Sequence, residues 1–272
     1  VHKIAIFLVV VLQSLLASCQ SGDAAVAELR NNIKGHKFVL KNFSAESITL
    51  YHLTGDRLET DPSPSVKTVA LFAPTDVSLR GSVLVIRGQR FSILLNGSTS
   101  SVVSSPLGVK ASLEIEIGSS SIASSISDLM QQLFFTSVTK ALGAVPAYLH
   151  PLVPGRLTSK GTPPAPCNPC TSWVRQSTWL EIPAQDPGLK QPVLIKASDV
   201  KMTPAGEWLD ATATFSFVVD ESGHPTELWL THAVGHGLDE SGAEALRQQI
   251  FRPATYKGAP VAVALREEFR FQ

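Results

Sequence analysis

The 272-residue chain carries no net charge: 23 Lys and Arg stand against 23 Asp and Glu, and neither sign gathers into a long run. Without a basic stripe to neutralise phosphates, no nucleic-acid partner is expected. The sequence also lacks a phosphate-binding loop, a dinucleotide fingerprint and a His-Glu-x-x-His helix, so nucleotide chemistry and helical zinc catalysis have no anchor. Of the seven histidines, His224, His232 and His236 cluster late in the chain, but no acid–base pair accompanies them. They read as turn or edge residues with local hydrogen bonds, and neither a metal nor a cofactor is expected. Asp220 and Glu221 before Ser222-Gly223 read as a tight turn in which Asp bonds its own backbone, so no Ser/His/Asp triad is assembled from these residues.

Long apolar runs are also missing. Ile4–Leu12 in "VHKIAIFLVVVLQSLLASCQ" is interrupted by Gln13 and Ser14, short of the about 20 apolar residues a membrane helix needs. Basic Lys3, this run and the small residues after it have the outline of an export signal. Leu16-Ala17-Ser18-Cys19 resembles the lipobox of bacterial lipoproteins. That resemblance implies cleavage before Cys19, lipidation of its thiol and a membrane anchor on a periplasmic protein. Gln20 after the cysteine resembles the outer-membrane rather than the inner-membrane sorting signal.

Only two of the three cysteines remain for other work. Cys167 and Cys170 in "GTPPAPCNPCTSW" have C-x-x-C spacing, and export favours a disulfide between them. Thiol catalysis needs a helix N-terminus to lower the thiol pKa. Pro163, Pro164 and Pro166 precede the pair with no strand leading in, and no helical pattern follows. A local staple or an ordinary free pair is the leading reading and a thiol-disulfide oxidoreductase the rival.

Length predicts two domains after an export segment. Residues 1–18 read as the signal, 19–29 as a polar leader and 30–150 as a β-rich domain. Phe38, Leu40, Ile48 and Leu50 are expected to face a core across two strands. Leu113, Ile115 and Ile117 alternate with polar neighbours, as in a sheet with one wet face. The serine-dense stretches 98–105 and 119–127 read as loops. "SISDLMQQLFFTSVTKALG" then predicts one covering helix with Leu129, Leu133, Phe134, Val138, Ala141 and Leu142 in its stripe. Ser125 and Asp128 have capping-box spacing, and Gly143 fits the stop.

Ten prolines between Pro151 and Pro204 exclude a long regular element and mark a connector over 151–204. Trp173, Trp179, Leu180 and Ile182 imply that it partly packs. Beyond it, "LDATATFSFVVDESGHPTELWLTHAV" predicts a strand, a turn at Asp220–Pro225 and a second strand. Leu238–Phe251 then predicts a helix, with Asp239 and Glu240 near its positive end. A last strand carries Val261, Val263, Leu265, Glu267, Phe269 and Phe271 on one face, where Glu267 predicts a bulge or an exposed end.

Four short motifs occur in order: Val219-Asp220-x-x-Gly223, Gly237-Leu238-Asp239, Phe251-Arg252-Pro253-Ala254 and Gly258-Ala259-Pro260-Val261. Over residues 205–272 this order resembles the C-terminal domain of TonB-type energy transducers. Gln249 stands where that family often has tryptophan, and Gly242 where alanine is usual. The front domain resembles that of some acidobacterial proteins carrying the same module. Together these readings give an α+β chain: a β-rich N-terminal domain with a covering helix, then a small TonB-C-like antiparallel sheet packed with one helix.

The resemblance implies a non-enzymatic protein-interaction module that accepts an extended segment by strand addition. The expected edge is Val261, Ala262, Val263, Ala264 and Leu265. The expected partner is an envelope protein, an outer-membrane receptor or a second copy of the chain. Typical transducers have a transmembrane helix coupled to a motor, whereas a lipobox stands at this N-terminus. Binding without force transmission is the expectation, and an envelope structural protein is the third reading.

Overall fold

The computed structural model describes residues 22–54, 57–60, 64–93, 104–117, 122–152, 171–200, 211–235 and 237–271. These divide between Ala144 and Val145 into two compact units.

The first unit opens with α1 (Gly22–Ile33), on residues that read as leader. Val26, Leu29 and Ile33 recur on one helical face and are buried, which is why the segment folds onto the core. Its strands are β1 (Phe38–Leu40), β2 (Ile48–Thr54), β3 (Arg57–Thr60), β4 (Lys67–Thr68), β5 (Ala70–Arg80), β6 (Val83–Ile93) and β7 (Ser104–Glu116). After α2 (Ile122–Leu133) come β8 (Phe134–Phe135) and α3 (Val138–Gly143). The sheet order is β3-β2-β7-β6-β5-β1-β8, and β2 runs parallel to β7. Both α1 and α2 contribute to its core, where Leu84, Ile86, Leu113 and Ile115 are fully buried.

Three expectations for this unit are corrected. Ile48 and Leu50 point outward, 55% and 45% exposed. Thr49 and Tyr51 register against Leu113 and Ile115, and paired residues share a face, so the inward pair on β7 commits their β2 partners inward. The covering helix is broken in two. Phe134 and Phe135 leave it to pair with Leu40 and Val39, which places Phe134 4.8 Å from Phe38 and 6.2 Å from Phe72. The chain restarts at Ser137, whose side chain accepts from the Lys140 N–H at 3.2 Å as the cap of α3. Finally, α2 begins at Ile122 inside the serine-dense stretch, which places Ser125 and Asp128 within the helix rather than at its start.

The second unit includes a 3-10 turn at Ala147–Leu152. It continues with β9 (Thr171–Arg175), β10 (Trp179–Pro183), β11 (Leu189–Lys190), β12 (Val193–Lys196), β13 (Ala211–Val219) and β14 (Pro225–His232). Then follow α4 (Leu238–Gln248), β15 (Ile250–Arg252), β16 (Ala254–Tyr256) and β17 (Ala259–Phe271). Its main sheet runs β10-β9-β17-β13-β14, with β16 joining β11 to β17, while β12 and β15 form a separate ribbon. The proline-rich stretch is thus more than a connector. Where prolines leave gaps it forms short strands, and each pairs within this unit.

The α4 helix ends at Gln248 rather than Phe251, because Ile250–Arg252 pair with β12 instead. No bulge occurs at Glu267: β13 and β17 stay in register from Ala211↔Phe271 to Val219↔Val263.

Candidate functional site

The four late motifs converge on this second unit. Asp220 closes its turn as anticipated, its Oδ1 accepting from the N–H groups of Ser222 and His224, both at 2.9 Å. Partial burial pushes this carboxyl upward, but hydrogen bonds from Ser222 and His224 outweigh that and hold it below its ordinary value. Gly223 follows at φ +89°, and a Cβ there would lie 2.0 Å from the Phe251 carbonyl oxygen. The Phe251 N–H donates to the Gly223 carbonyl at 2.9 Å. The first and third motifs therefore touch through bare backbone, and glycine is required.

Asp239 serves the second motif. Its two oxygens accept from the N–H groups of Val234 and Gly235, both at 2.9 Å, so the loop entering α4 is tied to its first turn. The fourth motif begins just after Lys257, where positive φ at Lys257 and Gly258 turns the chain from β16 into β17, as a tight hairpin requires.

Residues 208–272 match the family described as Gram-negative bacterial TonB protein C-terminal. No curated protein and no solved structure matches the chain. The match spans β13 to β17 with α4 and leaves out both the front unit and the strands β9–β12 of the second unit.

Those strands change the expected partner edge. One side of β17 is covered by β13 from Val263 to Phe271. On another, Ala262, Val263 and Ala264 pair with Arg175, Val174 and Trp173 of β9. The expectation that this edge stands open is corrected at these three residues. Val261, meanwhile, pairs with Ala254 of β16, and Leu265 with Phe217 of β13.

The β9–β10 hairpin is seated firmly. Val174 and Ile182 are buried with Leu189, Val261 and Val263 in one apolar cluster, and burying such a side chain stabilises by roughly 1.5–3 kcal/mol. Arg175 also bonds Glu227 and lies 5.5 Å from the Trp179 ring. A half-exposed ion pair contributes only about 0–1 kcal/mol, so the apolar seat dominates. Trp179 packs 4.8 Å from Tyr148. Burial pushes the Tyr148 hydroxyl well above its usual range; the nearby Glu227 charge adds to this and Arg175 opposes it.

The module's two departures from the family pattern are explained by packing. Gly242 lets α4 approach the edge-to-face pair of Phe215 and Phe269, whose centroids are 5.8 Å apart. A Cβ at residue 242 would meet the Phe215 ring at 3.0 Å. Gln249, 3% exposed, donates from Nε2 to Glu267 Oε1 at 2.8 Å, so the carboxylate that interrupts the strand's apolar face has a buried partner.

His224 bonds Ser222 locally, with Nδ1 3.0 Å from Oγ, and His232 is exposed at the end of β14. Among the described residues no group of three His, Cys, Asp or Glu side chains is placed to hold a metal, and no helix is long and apolar enough to cross a membrane. Cys19, Cys167, Cys170 and His236 lie outside the described residues.

Proposed function

We propose that this protein is a non-catalytic interaction protein of the bacterial envelope, lipid-anchored through Cys19 in the periplasm, preferentially at the outer membrane. Its TonB C-terminal module binds an extended segment of an envelope protein by strand addition. The observation that carries the reading is the family match over residues 208–272, which lies in a unit that has several short, exposed strands. Backbone edges of that type supply unpaired N–H and C=O groups to an incoming strand. Binding at Ala262–Ala264 would require departure of the β9–β10 hairpin, which exposes Val174 and Ile182.

Photo-crosslinking in cells tests this, with the reactive side chain placed in turn at Leu180, Ile195 and Arg266 of the second unit and at Ile48 and Leu50 of the front unit. Capture of one envelope protein from the second-unit positions is expected. Capture from the front unit alone would transfer the binding role there and sink the proposal.

A further inference from the structure

The β12–β15 ribbon combines features that a settled surface normally separates. Every residue of β12 is exposed, including Val193, Leu194 and Ile195, the last at 63%, and Ile250 on β15 joins them. Among the described residues β12 pairs with β15 alone, so its other side presents backbone donors and acceptors. Lys190 lies three residues before Val193, Lys196 ends β12 and Arg252 pairs with Val193; all three are exposed and none forms an ion pair among the described residues. No acid occurs in Leu189–Lys196 or Ile250–Arg252.

We infer that β12 is a docking edge for a short, extended, acidic–apolar peptide segment, added as a third strand of this ribbon. The inference rests on the interaction-module reading and assigns it a site outside β17. Charge complementarity selects the occupant: acids flanking the segment's apolar residues would meet Lys190, Lys196 and Arg252, while those apolar residues cover Val193 and Ile195 or Leu194. Self-pairing is disfavoured. A second β12 would bring the same cations together, and the register shift between Leu194 and Lys196, with a lysine on the strand, is a device that stops edges from extending by copies of themselves. An anionic membrane would match the charge but leave the edge's N–H and C=O groups unpaired, which a peptide strand would not. Four residues of β12, at about 3.3 Å each, set the segment length at four or five residues.

The test uses the full chain and two synthetic peptides, one alternating Val with Asp and Glu, the other alternating Val with Lys, each fluorescently labelled for anisotropy. The acidic peptide should bind at least tenfold more tightly. Lys190→Glu with Lys196→Glu should abolish or reverse that preference, and Ile195→Asp should weaken binding at least tenfold with the circular dichroism spectrum unchanged. All three positions are exposed, and Arg252→Glu supplies an independent variant. Equal affinity for the two peptides, or acidic-peptide binding indifferent to these variants, overturns the site. Concentration-dependent self-association abolished by Ile195→Asp would make a second copy the occupant and also overturn it. Binding to phosphatidylglycerol vesicles but not to the peptide would do the same in favour of a membrane. Crosslinks from the second unit that avoid Ile195 would remove this edge while leaving the interaction-module reading intact.

Discussion

Gln249, at the C-terminal cap of α4, donates its side-chain amide to Glu267 at 2.8 Å. One hydrogen bond thus accounts for two residues that look misplaced separately, a glutamine at an aromatic position and a carboxylate on an apolar strand face. Gln249→Leu should leave Glu267 without its partner and destabilise the protein by about 1–3 kcal/mol. Glu267→Gln, which keeps an acceptor, should cost less. The double change Gln249→Leu with Glu267→Leu should recover much of the loss, and urea denaturation of the four proteins would measure the coupling. Additive single effects would show that the pair is incidental.

Gly223 and Gly258 both have positive φ, yet their surroundings differ. Ala at 223 collides with the Phe251 carbonyl, whereas Ala at 258 meets nothing within 4 Å. Gly258→Ala should cost about 1 kcal/mol from backbone strain alone. Gly223→Ala should cost clearly more and separate the strand turn from β15, visible as a lower Tm and loss of amide protection at Phe251.

Asp220 gives a pH signature. Its carboxyl is held below its ordinary value in the folded state, so its contribution is fully present above the unfolded pKa of about 3.9 and is lost as pH falls through the lower folded value. Asp220→Ala should therefore lower stability near neutrality and flatten the acid limb of the stability curve. Wild-type and variant curves that stay parallel down to the acid transition would contradict this.

The folded module extends beyond the family match. A fragment of residues 208–272 lacks Val174, Ile182 and Leu189, which bury Val261 and Val263 in the parent. It should unfold at a lower denaturant midpoint than a fragment of residues 171–272 and bind a dye specific for exposed apolar surface. Equal midpoints would show that β9–β11 add no stability.

Mass measurement of the mature N-terminal peptide should find diacylglycerol on Cys19. An unmodified Val1 terminus, or cleavage without lipid, is the contrary result. Cys19→Ser should release folded protein from the membrane fraction.

The C-terminal module was readable where a motif states local backbone needs. A turn Asp with a following Gly, an acid in the first helical turn and a glycine before the last strand describe their own neighbourhoods, and each occurs where the motif places it. Alternation on β7 was readable for the same reason, since Leu113, Ile115 and Ile117 repeat with the period of a strand. Composition and motif order thus sufficed for the α+β class and for the family resemblance that residues 208–272 carry.

Whatever depends on a neighbour distant in sequence was decided only by the tertiary structure. Ile48 and Leu50 alternate as a core face should, but β7 sets which face of β2 turns inward. Phe134 continues a helical stripe, yet pairing with β1 draws it into the sheet together with Phe135. The edge at Ala262–Ala264 reads as open until β9 is seen beside it, because strand pairing is made by backbone groups common to every residue and leaves no mark on side-chain sequence. Side-chain period records the local conformation of a segment; which strand lies next to it depends on chain packing that no local pattern encodes.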